Sequence, residues 1–279
     1  MKNPNPALLG LGMMLLLLLA GCSVRPPAIP GFPEASDSAP RRVMDPNTIA
    51  DATPRQEPRS RYGNPASYVV RGKRYQVMSS SRGYMERGVA SWYGTKFHGR
   101  RTSSGEPYDM YKMTAAHKSL PLPTYVEVRN LNNGRTAVLK VNDRGPFHEN
   151  RIIDLSYAAA TKLGILAKGT GLVEVRALEP GQPTPRRQIA APPRPRPTSG
   201  TEPGIFIQVG AFLSQGNADR LRSRLSGELN RNIRIQRTQR YGQPLFRVQV
   251  GPLAGVEQAD ALSVRLSQLG HGESRIIIE

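Results

Sequence analysis

Between Gly88 and Ser156 the chain gathers groups that can ionise or donate at neutral pH and sets them on glycine turns between short apolar runs. The carboxylates are Glu106, Asp109, Asp143 and Asp154, with His117 as a neighbouring imidazole and Arg144, beside Asp143, as a candidate substrate-binding group. Acids and a histidine concentrated on turns look like a site carried by a scaffold. Cleavage of a glycosidic bond fits these residue types, because it needs a carboxylic acid held protonated near the leaving oxygen and a group that stabilises an oxocarbenium-like centre. A metal site fits less well, since His98, His117 and His148 lack a compact ligand spacing and Cys22 is the only cysteine. No Gly-x-Ser-x-Gly elbow is present for a serine nucleophile. No cofactor is expected.

Each residue also has a plainer reading. Glu106 and Asp109 lie in Gly105-Glu-Pro-Tyr-Asp, where acids suit a turn, and His117 suits a hydrogen-bonded core position. Asp143 can pair with Arg144 in its own turn, and Asp154 can cap the helix that follows. Trp92 and Tyr93 serve equally as sugar-stacking platforms or as core aromatics.

The elements that must position these groups are short strands at Val89–Tyr93, Tyr125–Asn130, Thr136–Asn142, Ile152–Leu155 and Leu172–Ala177. Alternation is clear in Val126/Val128, and Asn132-Asn-Gly-Arg signals a hairpin turn. One helix is expected, from an N-cap at Ser156 to a stop at Gly164. Many short strands with one small helix predict a compact all-β barrel over residues 65–179, decorated by a hairpin in 68–77.

A second block, 205–279, repeats itself. Gln208-Val-Gly and Gln249-Val-Gly are 41 residues apart, as are Ala218-Asp and Ala259-Asp, Leu221 and Leu262, and Arg224-Leu-Ser and Arg265-Leu-Ser. Each copy reads as strand then helix, with a further strand at Ile233–Arg237 and at Arg275–Ile278, which is the α+β split βαβ plan. Period 2 puts Ile207, Val209, Val248 and Val250 under the helices and Phe206, Gln208, Arg247 and Gln249 on the open face, a mixture suited to a sugar chain.

Residues 7–20 form an apolar run of about fourteen, short of the ~20 that span a bilayer and suited to a signal h-region. The run ends in Leu19-Ala-Gly-Cys22, which resembles a bacterial lipobox with Cys22 as the lipidated residue, so residues 1–22 read as a lipoprotein signal peptide. Ser23 in place of Asp points to the outer membrane, and a blocked thiol leaves no disulfide to form. Residues 23–64, rich in Pro, Ser, Arg and Asp, read as a flexible tether of up to ~130 Å. Residues 180–204 read as a Pro-rich linker. The net charge of +18 suits nucleic acid, but an exported lipoprotein meets anionic wall and membrane surfaces instead. Nothing demands more than a monomer.

Ala90-Ser-Trp-Tyr-Gly, Phe97-His-Gly-Arg, Thr102-Ser-Ser-Gly-Glu, Thr114-Ala-Ala-His, Leu120-Pro-Leu-Pro, Val141-Asn-Asp-Arg-Gly-Pro-Phe and Arg151-Ile-Ile-Asp-Leu-Ser together resemble the rare lipoprotein A (RlpA) family over about residues 86–178. That resemblance implies a double-psi β-barrel, as in expansins and family 45 endoglucanases. The second block resembles a SPOR domain, which in that family binds peptidoglycan stripped of stem peptides. The implied activity is a septal lytic transglycosylase that cuts between N-acetylmuramic acid and N-acetylglucosamine and leaves a 1,6-anhydro end. The alternative is an expansin-like glycan-binding lipoprotein, and a hydrolase using two acids with water is a further rival. Family matching implies roles for Glu106, Asp109, His117 and Asp143. Ile153-Asp-Leu-Ser resembles the expansin and endoglucanase motif whose aspartate is the essential acid, so the proton donor is Asp154 or Asp143.

Overall fold

A computed structural model describes residues 37–179 and 204–279, apart from Arg42, Glu149 and Glu273. Cys22 with its lipobox, the first part of the expected tether and nearly all of the Pro-rich linker lie outside the described residues.

A hairpin of β1 (Ser67–Val70) and β2 (Lys73–Gln76) precedes the barrel. Six strands then close on one another: β3 (Met85–Tyr93), β4 (Thr114–His117), β5 (Thr124–Asn130), β6 (Thr136–Asp143), β7 (Arg151–Ser156) and β8 (Gly171–Ala177), in the order β3-β7-β4-β6-β5-β8. Pairs β3·β7 and β4·β6 run parallel while the other pairings are antiparallel, which is the double-psi arrangement. Alternate residues point inward. Val126 and Val128, Leu139 and Val141, Ile153 and Leu155, and Val173 and Val175 are all fully buried in one cluster. Each such side chain contributes roughly 1.5–3 kcal/mol of burial. The helix α1 (Tyr157–Leu163) closes one side of that core as expected, with the Ser156 side chain accepting from Ala159 N and Gly164 in the left-handed conformation.

Two features depart from the sequence reading. Strand β4 was not expected as a strand, because four residues with two alanines carry almost no β signal of their own. Residues 37–64 are not a free tether but a strap laid along the barrel. Ala52 N donates to Val138 O (3.0 Å), Ser60 N to Leu122 O (2.8 Å) and Thr95 N to Ser38 O (3.0 Å). Asp37 accepts from Gly94 N and Lys96 N, and Asp51 from Val138 N. Ile49, only 7% exposed, joins the barrel core, with Met44 and Ala52 packed beside it. The strap shows no periodicity because it holds on by isolated anchors and backbone hydrogen bonds rather than by an apolar face.

The second domain follows the expected plan: β9 (Ile205–Phe212), α2 (Gln215–Glu228), β10 (Ile233–Arg240), β11 (Gln243–Leu253), α3 (Val256–Gln268) and β12 (Arg275–Ile278). The sheet is antiparallel in the order β10-β11-β9-β12. The 41-residue repeat is largely a repeat of core positions, since Ala218 and Ala259, and Leu225 and Leu266, are each fully buried.

Because Ile49 fills core space, Ile49→Ala is expected to destabilise the barrel by about 2 kcal/mol or more. Trp92, the only tryptophan, reports on the barrel alone, so urea unfolding followed by its fluorescence checks this. An unchanged midpoint would mean that the strap does not pack.

Candidate active site

Three strand pairings bring the acids together. Asp154 on β7 lies directly across from Ser91 on β3 and from Ala116 on β4, and Asp143 at the end of β6 pairs with the same Ala116. Directly paired residues share a face, so Asp143, Ala116, Asp154 and Ser91 form one line across four adjacent strands. This face is turned away from the barrel core. Ala115 and Leu155, one residue along, belong to that core, whereas Ala116 packs with Tyr93, Tyr108, Met110 and Tyr157 in a separate cluster. A register shift between Ala115 and Ala116 supplies the alignment, because without the extra residue Asn142 would stand opposite Ala116. The chain then turns across the line at Gly145, whose φ of +142° suits glycine; a Cβ there would lie 3.8 Å from Asp154 Oδ2.

The acids have different surroundings. Burial pushes the Asp154 carboxyl above the ordinary aspartate range, against the opposing pull of a Ser91 hydrogen bond and the Arg151 charge. Ser91 Oγ donates to Asp154 Oδ1 and accepts from Arg151 Nη1 (3.1 Å). Asp143 Oδ1 accepts from Ser103 N, Ser103 Oγ and Arg144 N, each at 2.7 Å, so this carboxylate is fixed in direction. Partial burial pushes Glu106 up, but hydrogen bonds from Lys140 Nζ (2.7 Å) and Asn142 Nδ2 (2.8 Å) outweigh it and leave the carboxyl below its usual range. The site therefore holds one carboxyl biased toward the acid form and one biased toward the carboxylate, a division of labour suited to acid–base chemistry.

Tyr93 is buried against Tyr108, the rings stacked at 4.2 Å, and feels the charges of both Asp143 and Asp154. Burial drives its phenol pKa far up. Thr114 exerts a small opposing pull, yet among the described residues neither Tyr93 Oη nor Thr114 Oγ1 completes a hydrogen bond, and Asn142 Oδ1 is also unpartnered.

The remaining expected residues serve other contacts. His117 is 3% exposed; its Nδ1 accepts from Ser119 N (3.2 Å) and Leu120 N (3.0 Å), which assigns the proton to Nε2. That nitrogen donates to Tyr84 Oη (2.8 Å), whose hydroxyl donates to Glu86 (2.8 Å). The imidazole thus braces the end of β4 and does not hydrogen-bond to Asp143 or Asp154. Arg144 is turned inward, with its guanidinium on Gly63 O, Leu120 O, His117 O and Asn64 Oδ1. Asp109 accepts from Tyr111 N (3.0 Å) within its own turn. Trp92 is half-buried, edge-on to Tyr157.

In the second domain the expected open face is partly covered. Gln249 is fully buried beneath Arg234, Gln236 and Glu279, and the Arg234 guanidinium sits 3.5 Å from the Phe206 ring centroid. Gln208 and Arg247 are half-exposed. Among the described residues no three His, Cys, Asp or Glu side chains come together as metal ligands.

Ser91, Ser103, Lys140, Asn142 and Arg151 were not singled out from sequence, although all but Lys140 stood inside motifs that were. Glu57, which accepts from Lys140 Nζ (3.0 Å), had no signal at all, lying in the polar stretch before the barrel.

Residues 85–177 match the lytic transglycolase family model, and residues 201–279 match the SPOR domain. Proteins named endolytic peptidoglycan transglycosylase RlpA are similar over nearly the whole chain. The one from Pseudomonas aeruginosa is 36% identical over 95% of this chain and 94% of its own length, and the one from Vibrio cholerae is 39% identical over the same shares. The chain belongs to the RlpA family. A solved SPOR domain from the P. aeruginosa RlpA is 27% identical, covering 26% of this chain and 97% of its own, with a TM-score of 0.26. Family membership agrees with both folds described above, the double-psi barrel and the SPOR sheet.

The braced imidazole makes this RlpA-family barrel acid-sensitive. Burial, reinforced by the Arg144 and Lys118 charges, lowers the His117 pKa to about 3, whereas in the unfolded chain the group takes a proton near 6.5. Between those values the unfolded state binds the extra proton, so stability falls as pH falls, by on the order of 4 kcal/mol across the window. Denaturant midpoints from pH 7 to 4 should drop more steeply for the wild type than for His117→Gln. Parallel curves would exclude the linkage.

Proposed function

We propose that the barrel is a lytic transglycosylase that cleaves the β-1,4 bond between N-acetylmuramic acid and N-acetylglucosamine in glycan strands freed of stem peptides. The observation that carries this reading is the line Asp143–Ala116–Asp154–Ser91, in which burial favours the protonated form of Asp154 beside a second, firmly held carboxylate. Asp154 gives its proton to the leaving O4 of N-acetylglucosamine as the C1–O4 bond breaks. The C6 hydroxyl of the muramyl residue closes on C1, and its proton returns to the same carboxyl. The C1–O6 bond replaces C1–O4, no water is consumed, and the acid is regenerated. Asp143 orients the sugar, and Glu106, kept as a carboxylate by Lys140 and Asn142, stabilises positive charge developing at C1.

The SPOR domain supplies affinity for the same stripped strands; peptidoglycan as the target is supported by the name of the matched relatives. Lipidation of Cys22 tethers the chain to the periplasmic face of the outer membrane, and binding to stripped glycan concentrates it at the division septum, where daughter cells separate.

The test is incubation of the chain with amidase-stripped and with intact peptidoglycan, followed by mass spectrometry of released sugars. Anhydromuramyl products from stripped strands are expected, with Asp154→Asn reducing their rate at least ~100-fold. New reducing ends would indicate hydrolysis instead. Tight binding without release would make the barrel an expansin-like glycan binder.

A further inference from the structure

The strap reaches the site at two points. At one, Gly63 O and Asn64 Oδ1 receive the Arg144 guanidinium (2.6–3.2 Å), and the backbone N–H of the same Arg144 donates to Asp143. At the other, Glu57 Oε2 accepts from Lys140 Nζ at 3.0 Å, and the same ammonium donates to Glu106 Oε1 at 2.7 Å. Lys140 is therefore shared between a carboxylate of the strap and a carboxylate of the site, and its side chain is only 14% exposed. Glu57 is itself well anchored, with Oε1 accepting from Tyr125 Oη (2.5 Å) and Arg55 Nε (3.0 Å).

We infer that Glu57 is a positioning residue of the active site: it holds Lys140 at the far end of a Glu57–Lys140–Glu106 bridge and thereby sets the place and charge of Glu106. This rests on the glycan-cleaving reading for its meaning, but not for its test. The geometry is specific. The ammonium lies in a bridge between two carboxylates, and Asn142 Nδ2 holds the other oxygen of Glu106, so Glu106 cannot follow Lys140 without losing Asn142. Asn142 is the extra residue of the register shift that aligns Asp143, so the bridge ends on the irregularity that builds the site.

The groups acting on Glu106 are Lys140 on β6, Asn142 beside it and Glu57 in the strap; those acting on Glu57 are Tyr125 on β5, Arg55 and Lys140. Burial pushes Glu57 up, but these three hydrogen bonds dominate and bring it down to about 2, so it stays ionised throughout the working range. Its negative charge raises Glu106, and its claim on Lys140 weakens the opposing pull. Two variants should then act in opposite directions. Glu57→Gln leaves Lys140 to Glu106 alone and removes a like charge, so the Glu106 midpoint falls. Tyr125→Phe removes a donor from Glu57, which then draws harder on Lys140, so the Glu106 midpoint rises.

The experiment is a carbon-13 carboxyl NMR titration of the full chain, with the Glu106 signal assigned by its loss in Glu106→Gln. Glu57→Gln is expected to lower the Glu106 midpoint by about 0.5–1 pH unit and Tyr125→Phe to raise it. Ile49→Ala, which loosens the strap without touching the bridge, should leave it in place. The acid limb of the product-release profile should move with the Glu57→Gln midpoint. An unmoved Glu106 midpoint in both bridge variants, or an equal shift in Ile49→Ala, overturns the inference. Loss of activity in the wild type would instead count against the proposed reaction and leave the titration result standing.

Discussion

The structure depends on one irregular junction, the parallel contact between β4 and β6. One extra residue there brings Asp143, rather than Asn142, opposite Ala116, and Ala116 is already opposite Asp154. A regular ladder would direct the Asp143 side chain to the other face, because strand side chains alternate with period 2. Parallel pairs inside a small barrel require the chain to cross the mouth between strands, and the crossings here carry the Ser103 and Arg144–Gly145 segments. Thus the topology that closes the barrel also brings the donors to the acids.

Charge state in this site follows from depth and partners. Asp154 lies deepest and has one hydroxyl donor, so desolvation wins and the acid form is favoured. Glu106 is more exposed but receives an ammonium and an amide, so the carboxylate wins. Tyr93 Oη, Thr114 Oγ1 and Asn142 Oδ1 are buried without a hydrogen-bond partner among the described residues, each at a cost in stability.

Binding and support are divided among residues that sequence reasoning had grouped together. Arg144 and His117 spend their polar atoms mostly on backbone groups, with Asn64 Oδ1 and the Tyr84 hydroxyl taking the rest, and so fix the turn after β6 and the end of β4. Arg234 covers Phe206 and Gln249 in the SPOR sheet, so that face meets a ligand first through guanidinium, amide and the half-exposed Gln208 and Arg247 rather than through a bare ring.

Much was legible without coordinates. Alternating valines in β5, the Asn-Gly turn, the Ser156 and Gly164 caps and the 41-residue repeat are local patterns, because period, capping and turn chemistry act within a few residues. They sufficed for a barrel followed by a split βαβ domain, and the clustered motifs identified the family. What only the tertiary structure decided is long-range. It made Thr114–His117 a strand, since Ala115 and Ala116 gain their conformation from neighbours on both sides. It turned His117 and Arg144 into braces and bound residues 37–64 to the barrel, with Glu57 brought to Lys140 across 83 positions of chain. No local pattern encodes such pairings, because a single polar residue in a polar segment is indistinguishable from solvated chain until a buried partner is brought to meet it.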